Sequence, residues 1–230
     1  MVAGNTSSLT VLSETIAHCR QCPRLVEWRE DVAANPRASF ADQTYWGRGV
    51  PGFGDPDAAI MIVGLAPAAH GANRTGRMFT GDRSGDFLYA ALHRAAMASQ
   101  PTSVAVGDGL ELKGCWITSV VKCAPPANKP TPFERDTCSE YFVSELGLLP
   151  KVRVILALGA FAAQGVRRAL RSRSPVEFGH GAVAPLEAPD GRRLSMVCSY
   201  HPSQQNTFTG KLTPAMLDAA IASAQALLGS

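Results

Sequence analysis

The chain is organised around one loop-rich stretch, which reads Val63-Gly-Leu-Ala-Pro-Ala-Ala-His-Gly-Ala-Asn-Arg-Thr-Gly-Arg-Met-Phe-Thr-Gly-Asp82. The residues that lead into it, 58–64, form a short apolar run with β-branched side chains, which predicts a strand buried on both faces. The stretch itself is rich in glycine and polar side chains, so it cannot continue the core. Ligands of open α/β sheets bind at the carboxyl ends of strands, where glycine lets the backbone approach them closely. The stretch therefore predicts a ligand-binding loop, followed by a helix over residues 86–97.

The rest of the chain repeats this alternation of strand and helix. Apolar runs predict strands at 115–121, 152–158 and 194–198, and amphipathic patterns predict helices from residue 133, at 160–171 and from residue 213. Strands that alternate with helices favour a parallel sheet covered on both faces. We therefore predict an α/β fold, a single-domain α/β/α sandwich around a four-stranded parallel sheet, over residues 1–230.

Four segments carry weaker or irregular patterns. Thr6 to Ser8 can cap a first helix that runs to about Arg20. Residues 31–57 are rich in glycine and proline and predict a long irregular segment. Residues 174–191 predict a hairpin or a loop, and residues 204–210 predict a polar loop.

The composition describes a globular chain of 230 residues, 46% hydrophobic and 18% charged, with a net charge of +3 at pH 7. No apolar run is long enough for a transmembrane helix, and the N-terminus lacks the pattern of a signal peptide. We expect a cytoplasmic monomer of bacterial type. The net charge does not by itself indicate a nucleic-acid binder. One basic cluster can contact phosphate or be a solvated helix face; it comprises Arg167, Arg168, Arg171 and Arg173.

Six cysteines in a cytoplasmic chain need a role other than disulfides. The first two form Cys19-Arg-Gln-Cys22, a spacing that lets two thiolates reach one metal ion or cluster. The alternatives are a redox pair or two buried thiols. Cys115 and Cys198 lie within predicted strands, where packed free thiols are expected.

The stretch at 63–82 resembles motif one of the type-B (family 5) uracil-DNA glycosylases over almost all of its length. The resemblance extends to Val120-Val-Lys-Cys-Ala-Pro-Pro-Ala-Asn-Lys-Pro-Thr-Pro132 and to His201-Pro-Ser203, so it covers most of the chain. It implies the uracil-DNA glycosylase fold and a DNA-repair enzyme that flips a base out of DNA and hydrolyses its N-glycosidic bond. Uracil and other deaminated bases such as hypoxanthine are the expected substrates. No lysine is an obvious strand-cleaving nucleophile, so we expect an abasic site in an intact backbone.

The same resemblance implies a cofactor. In that family two N-terminal and two later cysteines hold a [4Fe-4S] cluster, and the matching residues are Cys19, Cys22, Cys123 and Cys138. Four thiolates are the usual ligands of such a cluster, but they also suit a structural zinc ion. Zinc stays open as an alternative, and either group is expected to be structural.

The resemblance also assigns candidate base-binding residues. Phe79 would stack on the flipped base, although it can also be an ordinary core phenylalanine. His201 would donate a hydrogen bond to the base as negative charge develops on it. Backbone N–H groups near Ala66 can bind base carbonyls. Ser119 stands where many relatives carry an asparagine, and its short side chain is compatible with a broader base range; a catalytic role for His70 stays open.

The residue that places the attacking water is the least defined. Most uracil-DNA glycosylases carry a polar side chain in the motif-one turn, where this chain has the apolar Leu65-Ala-Pro67, as other type-B members do. Asn73 can position a water without taking its proton. Asp82 and Asp42 are the alternatives.

DNA contact is expected around the same loops. Residues 202–210 resemble the family's insertion loop, which enters the minor groove and fills the gap left by the flipped base. The candidate DNA contacts are Arg74, Arg77, Ser203, Gln204, Asn206 and Lys211. The plain alternative for each basic residue is a surface side chain that serves solubility.

Two functions of other classes stay open from the sequence. One is a non-catalytic iron–sulfur protein that binds nucleic acid, suggested by the missing motif-one base. The other is an α/β hydrolase of nucleotides, suggested by the glycine-rich loop, although the chain has no nucleophile elbow or paired-carboxylate metal site to support it.

Overall fold

The computed structural model describes residues 2–229, with side chains from Thr6 onward. Its helices are α1 (Val2–Ala17), α2 (Pro23–Ala34), α3 (Ala72–Thr75), α4 (Arg83–Arg94), α5 (Pro132–Gly147), α6 (Ala160–Ala169), α7 (Gln204–Phe208) and α8 (Pro214–Ala226). Its strands are β1 (Phe53–Gly54), β2 (Ile60–Gly64), β3 (Cys115–Ser119), β4 (Val154–Leu158), β5 (Val183–Glu187) and β6 (Arg193–Ser199). Within this described range, no helix combines the length and the apolar character that crossing a membrane requires.

The strands form one sheet in the order β1-β3-β2-β4-β6-β5. The inner four strands run parallel, as the sequence predicts, while β1 and β5 pair antiparallel at the two edges. The predicted α/β class is confirmed, but the sheet has six strands rather than four. The sequence patterns did not predict the two edge strands. Strand β1 has only two residues, and β5 contains Pro185 and alternates between exposed and buried positions. The pairing of β5 with β6 makes the end of the 174–191 segment part of a hairpin.

Helices cover both faces of the sheet, because alternate residues of a strand point to opposite faces. Met61 and Val63 of β2 face a core shared with α1, α2, α5 and α6. Ile60 and Ile62 face a second core shared with α4 and α8. This division fixes the register of β2, since a slip of one residue would exchange the two faces.

Three predictions of local structure were wrong. Helix α1 begins at Val2 rather than at a cap near Thr6, and ends at Ala17. Residues 31–34 belong to α2, which has Pro23 in its first turn and buries Leu25, Val26, Arg29 and Val32. Residues 204–208 form α7, because the Ser203 side chain accepts a hydrogen bond from the Asn206 N–H and caps the helix.

Side-chain caps also mark the starts of α4, α5 and α8. Asp82 accepts a hydrogen bond from the Gly85 N–H, so the helix expected over 86–97 begins at Arg83. Thr131 and Glu134 form a reciprocal capping box at the start of α5. Helix α8 begins at Pro214 after Thr213, whose side chain accepts from the Met216 N–H.

A buried ion pair joins the segment after β3 to α5. Lys122 Nζ lies 2.7 Å from Glu145 Oε2, and each residue is only 1% exposed. The Thr118 hydroxyl donates to the same oxygen at 2.6 Å, and the Gly52 N–H donates to Oε1 at 2.9 Å. The pair is therefore fully hydrogen-bonded on its acidic side, and it fixes the chain immediately before Cys123.

We expect Glu145→Ala to lower the free energy of unfolding by about 3–5 kcal/mol, because it leaves the Lys122 ammonium buried without its partner. Urea unfolding followed by circular dichroism measures the loss. Glu140→Ala is the matched control, since Glu140 is exposed on the same helix, and it should change stability by no more than about 0.5 kcal/mol. Equal losses in the two variants would contradict a special role for the buried pair.

Candidate active site

A cleft of about 1020 Å³ opens at the carboxyl ends of the parallel strands. Its volume is near the upper end of the roughly 300–1,000 Å³ typical of small-molecule pockets. Its walls come from the N-terminal segment, the loop after β2, the segment after β3 and the segment after β6. The lining residues are Trp28, Arg37, Phe40, Leu65, Ala66, Ala68, Ala69, His70, Gly71, Gly81, Asp82, Arg83, Ser84, Pro125, Ala127, Asn128, His201, Ser203, Gln204 and Gln205.

His201 lies two residues beyond β6, in the wall of the cleft. Burial lowers its pKa to about 4, so the imidazole is neutral at neutral pH. Its carbonyl oxygen accepts a hydrogen bond of 2.8 Å from Asn206 Nδ2. A neutral imidazole retains one N–H donor, so His201 can donate a hydrogen bond without itself carrying a positive charge.

Phe79 lies beside His201, with ring centroids 6.1 Å apart and ring planes inclined by 31°, but it is not among the residues that line the cleft. Its backbone has φ of +53°, a left-handed conformation that is uncommon for a residue other than glycine. The ring rests against Gly64 at the end of β2, where an added Cβ would lie 2.8 Å from the ring's Cζ. The loop thus holds an aromatic ring at the strand end at the expense of local strain, a combination common at functional sites.

Asp82 and His70 are further titratable groups in the cleft wall. Asp82 Oδ1 accepts a hydrogen bond of 2.9 Å from the Gly85 N–H, and burial raises the pKa of this carboxyl. Its Oδ2 lies where a side chain on Gly71 would be, since an added Cβ there would approach it to 2.1 Å. His70 Nδ1 is 3.0 Å from the Tyr45 hydroxyl, and burial lowers the pKa of His70.

Of the three candidates for placing the water, only Asp82 lines the cleft. Asn73 is fully buried on α3, outside the lining, and its Nδ2 donates to the Arg29 carbonyl oxygen at 3.2 Å. Its main-chain N–H and C=O bond to Ala68 and Gly47. Asp42 is exposed and also lies outside the lining. The Asn73 Nδ2 and main chain are thus engaged within the protein, while its Oδ1 is buried without a hydrogen-bond partner among the described residues.

Ser119 and Ala66 occupy different positions relative to the cleft. Ser119 is 1% exposed at the end of β3, does not line the cleft, and donates its hydroxyl to the Val121 carbonyl oxygen at 2.8 Å. Ala66 is half-buried and lines the cleft. The structure brings Ala66 and His201 into one cleft, while the Ser119 hydroxyl is engaged within the chain.

Arg74 and Arg77, two of the candidate DNA contacts, hold the motif-one loop through hydrogen bonds within the chain. Arg74 donates to the carbonyl oxygens of His70 and Gly81 at 2.8 and 2.9 Å, and to Gln43 Oε1 at 2.6 Å. Arg77 is 8% exposed. Its guanidinium bonds to side chains of Thr80, Ser103 and Asp108, at 3.0, 2.8 and 2.7 Å respectively.

The other candidate DNA contacts lie around α7. Ser203 and Gln204 line the cleft, and Gln204 is exposed. Asn206 is half-buried, and its side chain supports the backbone of His201. Lys211 is exposed outside the lining, with its ammonium 4.9 Å from the centre of the Tyr200 ring.

The arginine cluster on α6 does not contribute to the cleft. The helix starts just after the carboxyl end of β4 and runs back, so its last turn lies toward the opposite edge of the sheet. Arg168 pairs with Asp136 at 2.9 Å, and Arg167 donates to the Val176 carbonyl oxygen at 2.7 Å. A larger groove of about 1440 Å³ there contains acidic as well as basic side chains, so it lacks the uniform charge of a phosphate track.

Sequence patterns missed several cleft residues. Trp28, Arg37 and Phe40 come from α2 and the turn after it, and only tertiary packing brings them to the strand ends. Asn128 is exposed in a left-handed conformation with φ of +55°, within the segment that resembles the family. Arg83 has a signal in the sequence, because it directly follows Asp82, the last residue of motif one.

Four of the six free cysteines line one small cavity, and they are the four that the resemblance singled out: Cys19, Cys22, Cys123 and Cys138. They come from the α1–α2 junction, the segment after β3 and helix α5. Among the residues that the structure describes, no three Cys, His, Asp or Glu side chains converge closely enough to hold a single metal ion. Cys115 and Cys198 lie buried in β3 and β6.

The surroundings of these cysteines combine burial with hydrogen-bond donors that point at two of the sulfurs. Burial raises the pKa of Cys22 to about 11 and that of Cys138 to about 12, so thiolates here need a compensating positive charge. Arg29 is 1% exposed and donates to Cys123 Sγ at 2.9 Å. The Lys122 N–H donates to Cys138 Sγ at 3.2 Å. The donor set therefore fits a group ligated by four thiolates.

Comparison with known proteins assigns the chain to a family. The family model described as "Uracil DNA glycosylase superfamily" matches residues 51–225, which include motif one, the segment after β3 and His201. The chain therefore belongs to the uracil DNA glycosylase superfamily.

Individual relatives narrow the similarity to one type. A type-5 uracil-DNA glycosylase of Mycobacterium leprae is 54% identical over 232 aligned residues, which cover 100% of both chains. One from Mycobacterium tuberculosis is 54% identical, over 99% of this chain and 85% of its own length. One from Thermus thermophilus is 51% identical, over 94% of this chain and 96% of its own length. The resemblance drawn from motif one is thereby confirmed.

Proposed function

We propose that this chain removes uracil from DNA by hydrolysing its N-glycosidic bond, which is the activity for which its relatives are named. We also propose that hypoxanthine is a second substrate. The observation that carries the proposal is a neutral His201 beside the Phe79 ring, at a cleft on the carboxyl edge of the sheet. A base must leave the duplex to reach such a site, so the enzyme acts on a flipped nucleotide.

The base-binding surroundings support a broad choice of base. Ala66, Ala68 and Ala69 give the cleft small side chains and a backbone that a ligand can approach. The Ser119 hydroxyl, which is bonded to Val121, lies outside the lining. Recognition would then rest on backbone N–H groups and on stacking against Phe79, neither of which demands the carbonyl pattern of uracil. This arrangement is compatible with hypoxanthine.

The departing base becomes an anion as the bond to the sugar breaks. His201 is assigned to donate a hydrogen bond to that anion, as a preorganised donor placed where charge develops. Its lowered pKa keeps the donor neutral. Asn206 fixes the segment by bonding to the His201 carbonyl oxygen, so its role is to position the donor.

We assign placement of the water to Asp82 rather than to Asn73 or Asp42. Asp82 lines the cleft, and Gly71 places no side chain against its Oδ2. A carboxylate there can accept a hydrogen bond from water and stabilise the positive charge that develops on the sugar. Within the described chain no lysine lines the cleft, which supports an abasic-site product in an intact strand rather than cleavage through a Schiff base.

We further propose that Cys19, Cys22, Cys123 and Cys138 hold a [4Fe-4S] cluster whose role is structural. When bound, the cluster would supply cross-links between the α1–α2 junction, the segment after β3 and α5. Iron and sulfide analysis of the purified protein distinguishes the cluster from the alternative of zinc.

The partner of the enzyme is DNA, and in a bacterial cell that partner lies in the cytoplasm. We propose that the enzyme acts as a monomer.

The function is tested on end-labelled oligonucleotides that carry a single uracil or hypoxanthine. We expect the wild type to release both bases and to leave strands intact until alkali cleaves the abasic site. His201→Ala should slow release by about 10²–10³-fold, because it removes the donor that faces the departing base. His93→Ala is the control, since His93 is exposed near the far end of α4. No release of either base by wild-type protein that carries its cluster would favour a binding module without catalysis.

Substitutions of Asn73 give a second test, because an aspartate at this position distinguishes a structural role from a role in positioning the attacking water. Both Asn73→Ala and Asn73→Asp remove the hydrogen bond to the Arg29 carbonyl, so each should lower stability by about 1–3 kcal/mol and slow uracil release similarly. A residue that only positions water would tolerate aspartate, which accepts hydrogen bonds from water. Single-turnover rates and thermal unfolding measure both effects, with Asp42→Asn as control. If the Asn73→Asp variant had the wild-type rate and stability, the result would support Asn73 as the residue that positions the water.

The cleft arginines give a third test. Arg37 and Arg83 line the cleft, and within the described chain neither pairs with a carboxylate, so they replace Arg74 and Arg77 as the expected phosphate contacts. Arg37→Gln and Arg83→Gln should each reduce the slope of log Kd against log salt concentration by about 0.9 for each lost phosphate contact. Arg94→Gln is the control, because Arg94 pairs with Asp218 on the surface. Slopes equal to that of the control would exclude these contacts.

A further inference from the structure

Arg29 is a buried cation that the proposed reaction does not use. It lies on α2 and is 1% exposed, which is rare for arginine unless a partner balances its charge. Its Nη1 donates to Cys123 Sγ at 2.9 Å, and its Nη2 donates to the Cys19 carbonyl oxygen at 2.9 Å. The guanidinium therefore bridges the N-terminal cysteine pair and the later pair.

The charge of Arg29 lacks a close carboxylate partner among residues 6–229. The one carboxylate oxygen within 4.0 Å is Glu30 Oε1, which is at that limit on a half-exposed side chain already paired with Arg20. Arg29 Nε is buried without a hydrogen-bond partner in the same part of the chain. Since a buried cation is costly unless it is paired, the negative charge it faces must come mainly from the cysteine side.

The backbone of the same residue reaches the motif-one loop. The Arg29 carbonyl oxygen accepts a hydrogen bond of 3.2 Å from Asn73 Nδ2. Asn73 is itself fixed by main-chain bonds to Ala68, in the cleft wall, and to Gly47. One residue thus contacts the cysteine cavity through its side chain and the active-site loop through its main chain.

We propose that Arg29 is a positioning residue that supplies the positive charge facing the four-cysteine centre and ties that centre to the motif-one loop. The inference rests on the proposed cluster, but it does not depend on glycosylase activity. The guanidinium stabilises the thiolate-bound state, and the carbonyl holds α3 against α2. A disturbance at the centre that moves α2 is therefore passed to the loop through one hydrogen bond.

The test compares Arg29→Gln with Arg20→Gln in purified protein that carries its cluster. Arg20 is the matched control, because it lies between the first two cysteines in sequence but pairs with Glu30 at the surface. Hydrogen bonds to cluster sulfurs and local charge set the reduction potential. Arg29→Gln should shift the potential to more negative values and speed bleaching of the visible absorption in air severalfold, while Arg20→Gln should leave both unchanged.

A separate measurement tests the hydrogen bond between Arg29 and the motif-one loop. Hydrogen exchange of main-chain amides in residues 70–82 should rise in Asn73→Ala, whereas the reduction potential of that variant should stay at the wild-type value. In Arg29→Gln both quantities should change. If Arg29→Gln does not fold, Arg29→Met replaces it; methionine also removes the charge, so a shift in the same direction is expected.

Three results would overturn the inference. A potential and bleaching rate in Arg29→Gln equal to those of Arg20→Gln would remove the electrostatic role, as would wild-type values in Arg29→Met if the glutamine variant is insoluble. Unchanged exchange of the loop in Asn73→Ala would remove the link. Wild-type protein that contains zinc, or that shows no visible absorption, would instead refute the proposed cluster. If that protein still releases uracil, the proposed activity is retained.

Discussion

Strand β2 hydrogen-bonds in parallel to β3 on one side and to β4 on the other, and this double ladder determines where every functional segment emerges. Parallel strands end at one edge of a sheet, so the motif-one loop, the segment that reaches Cys123 and the segment with His201 leave the core side by side. The alternation of Ile60 and Ile62 with Met61 and Val63 locks the register between two cores. The cleft is thus a consequence of the ladder.

Much of the basic charge near the cleft maintains the architecture. Arg74 and Arg77 close the motif-one loop on itself and on Asp108, and Lys122 is neutralised by Glu145 inside the protein. Buried cationic side chains need a hydrogen-bond partner for each donor, because burying an unpaired charge costs free energy of folding. This use of arginine leaves a smaller set of side chains, at the rim of the cleft, to meet a polyanion.

Burial shifts the pKa values of Asp82 and of the cleft histidines in opposite directions for one physical reason. It raises the pKa of Asp82 and lowers that of His201, because in both cases the charged form loses solvation. For His201 the result is a neutral donor at the end of a strand. The cysteine cavity is lined from the α1–α2 junction, the segment after β3 and α5.

The sequence by itself determined the α/β class, the four parallel strands, the edge that holds the site and the four cysteines that converge, because these follow from apolar periodicity and from a long family motif. It did not determine the two edge strands, helix α2, or the burial of Asn73 and Ser119. Those depend on contacts between residues far apart in the chain. A glycine-rich loop indicates that it holds a ligand, but only the fold decides which of its polar side chains face the cleft and which, like Asn73 against Arg29, turn inward to satisfy buried backbone.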